Sequence, residues 1–349
     1  MTEPLRVLHV DAEPGYRGGQ RQLRLLIGEQ LRDPGLLVGA MVRSDRLRQE
    51  LVALGLPCRP WPGGVRGLYL LRAALADRDL VHAHDARSQG YARAAGWPRA
   101  GRRLVVHRRI DDVPHDRATT RWKYAEGSMI CVSHAVAGGL AAWGVPADRL
   151  RVQWSAAPLV VSPPSPPAPS GDGLRLACVG ALVAHKGHGD LLEALACSHR
   201  PHTLQIAGDG PLRRELLDRI QRLGLVERVQ LLGEQGDAHA VLSAADACVQ
   251  PSRSEGLGTA VLDALARGRP VIATSVGGLP EIVGADTGFL VPPRDPEAMA
   301  AALDRLARLA SQDAAAFSAL GLRGRARVAA HHRPEHLSAG VRAVYDEGG

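Results

Sequence analysis

Short apolar runs alternate with amphipathic stretches along most of the chain. Residues 5–10 (LRVLHV) read as a strand, Gly18-Gly19 opens a helix to about residue 31, and 36–42 (LLVGAMV) reads as a second strand. Further strands are expected at 80–84, 104–107, 129–132 and 151–154, with helices between them. Repeated strand–helix alternation predicts a parallel, doubly wound sheet. The alternation breaks at Pro158, where PLVVSPPSPPAPSGDG is stiff at its prolines and flexible at its glycines. It resumes with strands at 174–179, 203–207, 229–232, 247–250 and 270–273, and with helices near 187–196, 212–223, 258–267 and 296–309. The pattern predicts an α/β protein with two Rossmann-like halves, 1–160 and 161–330, and a terminal segment, 331–349. Such halves bind ligands in a crevice at the carboxyl ends of their strands.

Composition narrows the class. At 349 residues, 45% hydrophobic and 23% charged, the chain can fill two cores and does not read as disordered. Aromatics are only 3%, too few for base-stacking platforms. No run approaches the roughly 18 apolar residues of a membrane span. MTEPLRVLHV lacks a signal-peptide pattern, so a cytoplasmic protein is expected. The five cysteines have no C-x-x-C spacing; Cys131, Cys178 and Cys248 lie in apolar runs and read as buried, reduced thiols.

Charge is unevenly divided. Residues 1–160 hold 24 Lys and Arg against 15 Asp and Glu, a net +9, whereas the remainder has 19 against 21. A basic first half could attract an anionic lipid surface or a phosphorylated acceptor, or simply be a solvated face. No helix-turn-helix, zinc-finger or RNA-recognition signature accompanies it, so no nucleic-acid partner is expected. Only two lysines occur, Lys123 and Lys186, which singles out Lys186 beside a glycine in VGALVAHKGH.

The segment 250–283, QPSRSEGLGTAVLDALARGRPVIATSVGGLPEIV, concentrates the candidate chemistry. Glu255 sits in a glycine-flanked turn; Gly256, Leu257, Gly258 and Thr259 lead into a helix, and Asp263 follows eight positions after Glu255. Amides at a helix N-terminus bind phosphate, while carboxylates accept from hydroxyls. A nucleotide-sugar carries both groups. Gly18 and Gly19 form a second glycine turn before a helix, without the G-x-G-x-x-G of dinucleotide enzymes. His82 and His84 form an H-x-H pair on one strand face; the pair alone supplies only two metal ligands, and no further convergent set is evident. His107 closes the strand before Arg108 and Arg109, which alternate in direction, so that one faces an anionic acceptor and the other solvent. No D-x-D metal clamp appears at a strand end, and no G-x-S-x-G elbow or Cys-His set suggests a hydrolase.

Glu255 to Asp263, with EGLG, resembles the E-x7-E region of the retaining glycosyltransferases of family 4 (group 1), and the likeness runs over nearly the whole chain. It implies the GT-B fold, two Rossmann-like domains facing a central cleft, with the last helix, at 336–346, crossing back to the N-terminal domain. It also implies a nucleoside diphosphate sugar as donor, no cofactor and no metal. His107, Lys186 and Glu255 take the catalytic positions. The donor set becomes Gly18, Gly19, Lys186, Glu255, Gly256, Leu257, Gly258, Thr259 and Asp263, with Gly233 and Glu234 at the nucleobase. His84, Arg108 and Arg109 fall to the acceptor, an anionic or lipid-linked glycan of the cell envelope, with peripheral association at the inner membrane face. Two positions depart from the pattern. Asp263 stands for the second Glu, and Ala181 stands where the family has Arg; Arg253 and Arg17 are the candidate substitute cations. A catalytically weak sugar-nucleotide-binding protein and a GT-B-fold sugar-nucleotide epimerase remain alternatives.

Overall fold

The structure, a computed structural model, describes residues 3–99, 102–160, 172–235 and 238–347. Most of the proline-rich connection, 161–171, lies outside the described residues. The first elements are β1 (Leu5–Asp11), α1 (Gly18–Gln30), β2 (Leu36–Val42), α2 (Asp45–Ala53), β3 (Cys58–Pro60), α3 (Gly64–Ala74) and β4 (Leu80–Ala83). Then come α4 (Ala86–Ala94), β5 (Arg103–Arg108), α5 (Ala118–Tyr124), β6 (Ser128–Cys131), α6 (His134–Trp143) and β7 (Leu150–Val152). The second series is β8 (Arg175–Val179), α7 (His188–Cys197), β9 (Thr203–Ala207), α8 (Arg213–Arg222), β10 (Val229–Gly233), α9 (Ala238–Ala244) and β11 (Ala247–Gln250). It continues with α10 (Thr259–Ala266), β12 (Val271–Thr274), α11 (Leu279–Ile282), β13 (Gly288–Val291), α12 (Pro296–Gln312), α13 (Ala314–His331) and α14 (Pro334–Asp346).

Contacts group these into two compact units, Met1–Ala156 with Pro334–Gly349, and Ala157–Arg333. The first holds a seven-stranded parallel sheet in the order β3-β2-β1-β4-β5-β6-β7, the second a six-stranded parallel sheet, β10-β9-β8-β11-β12-β13. Both are doubly wound, as the alternation predicts. The strand order reverses between β1 and β4 and between β8 and β11, the topological switch points where loops part and ligands bind.

Helix α14 completes the first unit. Its Leu337, Val341, Val344 and Tyr345 pack with Val7 of β1, Leu26 of α1, Leu80 of β4, Val105 of β5 and Ile130 of β6. Burying each such side chain contributes roughly 1.5–3 kcal/mol, so the sheet face under α14 depends on a segment that starts 182 residues beyond β7. In the second unit Leu176, Cys178, Leu204, Ile206 and Val249 of the sheet pack with Leu191, Leu195, Leu303 and Leu306 of α7 and α12. All five cysteines are free, and Cys131, Cys178 and Cys248 are buried. No described helix is long and apolar enough to cross a membrane.

Candidate active site

In the second unit, four chain segments meet at the carboxyl ends of β8 and β11. After β8 the chain turns through 180–187 and enters α7 at Gly187, whose φ is +68°. A Cβ at Gly187 would lie 2.0 Å from the Pro251 carbonyl oxygen, so only glycine allows the loops after β8 and β11 to approach this closely. Arg253 N–H donates to the His185 carbonyl at 2.7 Å and ties them together. His188 Nε2 meets the Ala181 carbonyl at 3.1 Å and must therefore carry its proton, leaving Nδ1 to accept from Cys178 Sγ at 3.6 Å. Burial pushes the Cys178 thiol up to about 12, so the thiol keeps that proton.

Within this frame Lys186 Nζ lies 2.5 Å from Glu255 Oε2. The same oxygen accepts from Ser252 Oγ at 3.1 Å and from Gln250 Nε2 at 3.4 Å, and Gln250 Nε2 also reaches Ser252 Oγ at 2.8 Å. Gln250 and Ser252 escaped the sequence reading, although both flank Pro251 inside the quoted motif. The Glu255 carbonyl accepts from Gly278 N–H at 3.2 Å, which joins the turn after β12 to the site. Gly256, Leu257 and Gly258 are buried and Thr259 is half-buried at the N-terminus of α10. Gly258 has φ +96°, and a Cβ there would strike Leu279 Cδ2 at 2.6 Å.

The remaining donor positions are placed differently. Asp263 lies in the second turn of α10 and is 4% exposed, packed inward with Val261 to Ala266; its charge helps push the buried Cys248 thiol well up. Gly233 ends β10 and its carbonyl accepts from Gly208 N–H at 2.8 Å, while Glu234 is exposed. Arg253, a candidate substitute for the missing arginine at Ala181, is taken up by Asp190 through two bonds of 2.9 and 2.7 Å. Arg17 belongs to the first unit, where it is exposed at the start of α1.

In the first unit the pleat assembles a histidine cluster. His9 pairs in register with His82, and His82 with Val105, so Asp11, His84 and His107, each two residues on, share the same sheet face. The rings of His82 and His84 stack at 4.1 Å, and those of His82 and His107 at 5.4 Å and 3°. β4 ends at Ala83 and not at His84, whose N–H still donates to the Val10 carbonyl at 2.9 Å. The sequence counted two convergent ligands here; the structure supplies a third, His9, and ring nitrogens of His9, His82 and His84 all lie within 4.8 Å of one another.

Hydrogen bonding fixes the tautomers of His84 and His9. Arg109 Nη2 can only donate, so His84 Nδ1 accepts from it at 3.1 Å and His84 Nε2 carries the proton. That proton goes to His9 Nδ1 at 2.9 Å, and His9 Nε2–H donates to Gln30 Oε1 at 2.7 Å. Gln30 Nε2 continues to the Tyr345 hydroxyl at 3.4 Å, which lies 2.6 Å from His82 Nδ1. The bonds run in one direction from Arg109 to the Tyr345 hydroxyl. In this arrangement His84 Nε2 is a donor and offers no lone pair to a cation, so the trio fits a hydrogen-bonded wire better than a metal centre. Burial holds His9 down at about 4 and holds His82, His84 and His107 well below the usual imidazole range, with the Arg109 charge adding to the effect.

Neither arginine after His107 faces solvent freely. Arg108 is buried, giving Nη2 to Asp112 at 2.7 Å and Nη1 to the Tyr124 hydroxyl at 3.2 Å. Arg109 is half-buried beneath Gly19, where a Cβ would come 3.5 Å from Arg109 Cδ, and burial lowers its guanidinium to about 10 against the opposing charges of Asp11 and Asp85. Asp11, held by Gln20 Nε2 at 3.1 Å, is raised to about 6 by burial and by Asp85. The glycine turn, His84, His107 and Arg109 thus gather at one sheet edge of the first unit; Lys186, Glu255 and the start of α10 gather at the corresponding edge of the second.

Residues 173–308 match the family described as Glycosyl transferases group 1. Glycogen synthase of Mycobacterium tuberculosis is 35% identical over 135 residues, 37% of this chain and 33% of that protein. The putative colanic acid biosynthesis glycosyltransferase WcaL of Escherichia coli is 30% identical over 199 residues, 54% of this chain and 49% of that protein. The matches therefore span about a third to a half of these curated relatives. Among solved structures, Anabaena Alr3699/HepE in complex with UDP-glucose has a TM-score of 0.83 at 19% identity, covering 98% of this chain and 100% of that one. Sucrose-phosphate synthase from Thermosynechococcus elongatus gives 0.81 at 22% identity, covering 98% of each. At such identities the likeness establishes the fold, two parallel α/β domains of the GT-B type. The family match itself is confined to residues 173–308, within the second unit.

Proposed function

We propose that the protein is a retaining, metal-independent glycosyltransferase that moves a sugar from a nucleoside diphosphate sugar to a glycan or lipid acceptor of the cell envelope. The observation that carries this reading is the Lys186–Glu255 pair, 2.5 Å apart, beside the open amides at the start of α10. A cation and amides suit a diphosphate, and a carboxylate suits sugar hydroxyls. The complexes of HepE with UDP and UDP-glucose support this donor class, and WcaL supports an envelope acceptor.

In this reaction the bond from the anomeric carbon to the diphosphate oxygen breaks, and its electron pair leaves with the phosphate. The acceptor hydroxyl attacks the same face and its proton passes to that phosphate oxygen, so the balance needs no protein nucleophile. Lys186 opposes the charge growing on the leaving group, an effect largest in the transition state. Glu255 orients the sugar, Asp263 the ribose, and Gly233 with Glu234 the base. Gly18 and Gly19 adjoin the diphosphate, and His107, a neutral imidazole, donates to the sugar. Arg109 and His84 meet the acceptor; Arg108 acts by holding the loop through Asp112. The D-x-D triplet of the chain, Asp77-Arg78-Asp79, precedes β4 and gives Asp79 to Arg6, so neutralisation is left to Lys186 and amides. The basic first half supports peripheral association with the inner face of the cytoplasmic membrane.

A thermal-shift panel of UDP-, GDP-, ADP- and CMP-sugars with chelator tests the reading. The right donor at about 100 times its Kd adds roughly 2.7 kcal/mol. No response to any of them, or a response only with divalent metal, rejects the donor assignment. A second reading, a sugar-nucleotide-binding protein of low turnover, draws support from Ala181 together with the capture of Arg253 by Asp190. Stabilisation by a donor without hydrolysis or transfer would favour it.

A further inference from the structure

Helix α3 presents an outward face with no acidic or amide side chain. At about 100° per residue, Arg72, Val65, Tyr69, Ala73 and Arg66 follow one another across an arc of roughly 120°, and all five are exposed. Val65 is 86% exposed and Tyr69 72%. The opposite side, with Gly67, Leu71 and Ala74, is buried and fixed. Gly67 lies on Trp61, where a Cβ would sit 3.1 Å from Nε1. Trp61 meets Tyr91 of α4 edge-on at 4.9 Å, and Gly64 N–H donates to the Tyr91 hydroxyl at 2.8 Å. The apolar stripe therefore cannot roll inward.

Charge around the stripe is uncompensated. From 51 to 76 the chain carries Arg59, Arg66 and Arg72 and no acidic residue. Neither Arg66 nor Arg72 meets a carboxylate among the described residues, whereas Arg48, Arg93, Arg108 and Arg121 of the same unit do. An apolar centre bracketed by free guanidinium groups matches the interface of an anionic bilayer. The guanidinium groups reach phosphates, the tyrosine spans the headgroup level, and the small apolar side chains enter the acyl boundary.

We propose that this face of α3 docks on an anionic phospholipid membrane. Two large apolar side chains are few for a stable protein interface, which buries about 800 Å² per partner. A lipid surface asks for no shape complementarity and sums its attraction over each basic group. The proposal rests on the peripheral association suggested above for the acceptor reading, but its readout is binding and needs no turnover.

The full-length protein is sedimented with vesicles of phosphatidylcholine alone and of equal parts phosphatidylcholine and phosphatidylglycerol. Binding is expected only to the anionic vesicles, and it falls as salt rises from about 0.1 M to about 1 M. Arg66→Glu with Arg72→Glu lowers it about tenfold or more, and Val65→Ser with Tyr69→Ser lowers it several-fold. Arg214→Glu, at an exposed position of α8, leaves it unchanged. Equal binding to both vesicle types, or undiminished binding by the α3 variants, overturns the proposal. So does a dimer that Tyr69→Ser dissociates while vesicles bind neither form. Nucleotide-sugar stabilisation, measured on the same variants, stays at the parent level, which separates this test from that of the donor reading.

Discussion

Lys186 Nζ and Glu255 Oε2 are 2.5 Å apart, although 69 residues separate them in the chain. The pair is largely shielded, with 19% and 13% of the side chains exposed, and Ser252 and Gln250 donate to the same carboxylate oxygen. On the proposed donor reading, a diphosphate would share Lys186 with Glu255 or draw it away, which would couple phosphate binding to the orientation of that carboxylate.

Lys186→Ala and Glu255→Ala should each lower kcat/KM by about two orders of magnitude or more, with folding retained. Because each residue positions the other, the double variant should lose much less than the product of the two effects. Steady-state kinetics with the identified donor, together with melting curves, check this. Near-parent kcat/KM in either single variant would demote that residue to a structural role.

Gly187→Ala should destabilise the second unit and weaken donor binding together. Its φ of +68° is strained for alanine, and the new Cβ would lie 2.0 Å from the Pro251 oxygen, so the loops after β8 and β11 must separate. Such backbone strain costs on the order of 1–3 kcal/mol. The displaced loop carries Lys186, so donor Kd should rise as well. A parent-like urea midpoint would show that the loops part without cost.

Acid should weaken the first unit. The folded pKa of His9 is about 4, and those of His82, His84 and His107 are also depressed, below their unfolded value of 6.5. Below pH 6.5 the unfolded chain binds more protons, so the stability present above that pH is lost as pH falls toward the folded values, by up to about 1.4 kcal/mol per pH unit for each group. Asp11 acts in the opposite sense: raised from 3.8 to about 6, it favours the fold at low pH and offsets about one histidine between those values. A net loss between pH 7.5 and 5.5 is expected in urea midpoints. Equal midpoints would contradict neutral, buried imidazoles.

The alternation of apolar strands with helices, and the run from Gln250 to Thr259, were legible because their signals are local. Strands β9 and β11 lie at 203–207 and 247–250 as read, and the start of α10 falls within one residue. Other elements hid their pattern. β3 is three residues long with only Cys58 less than fully exposed, and α13 buries Phe317, Leu320, Gly321, Gly324 and Val328, a helical stripe in which two positions are glycine. There the small residue serves close packing, so hydrophobicity does not report the buried face.

What the tertiary structure alone decided is which distant groups share a site. His9 entered the cluster through strand register with His82, 73 positions away, and Tyr345 joined it because α14 covers that sheet face. Arg253, a candidate phosphate cation, pairs with Asp190, and Arg108, an expected acceptor residue, with Asp112 and Tyr124, pairings set by loop geometry. Local propensity can place a histidine on a strand or a glycine before a helix. Which tautomer that histidine adopts and which charge remains unpaired depend on partners brought together only when the two sheets bury their faces.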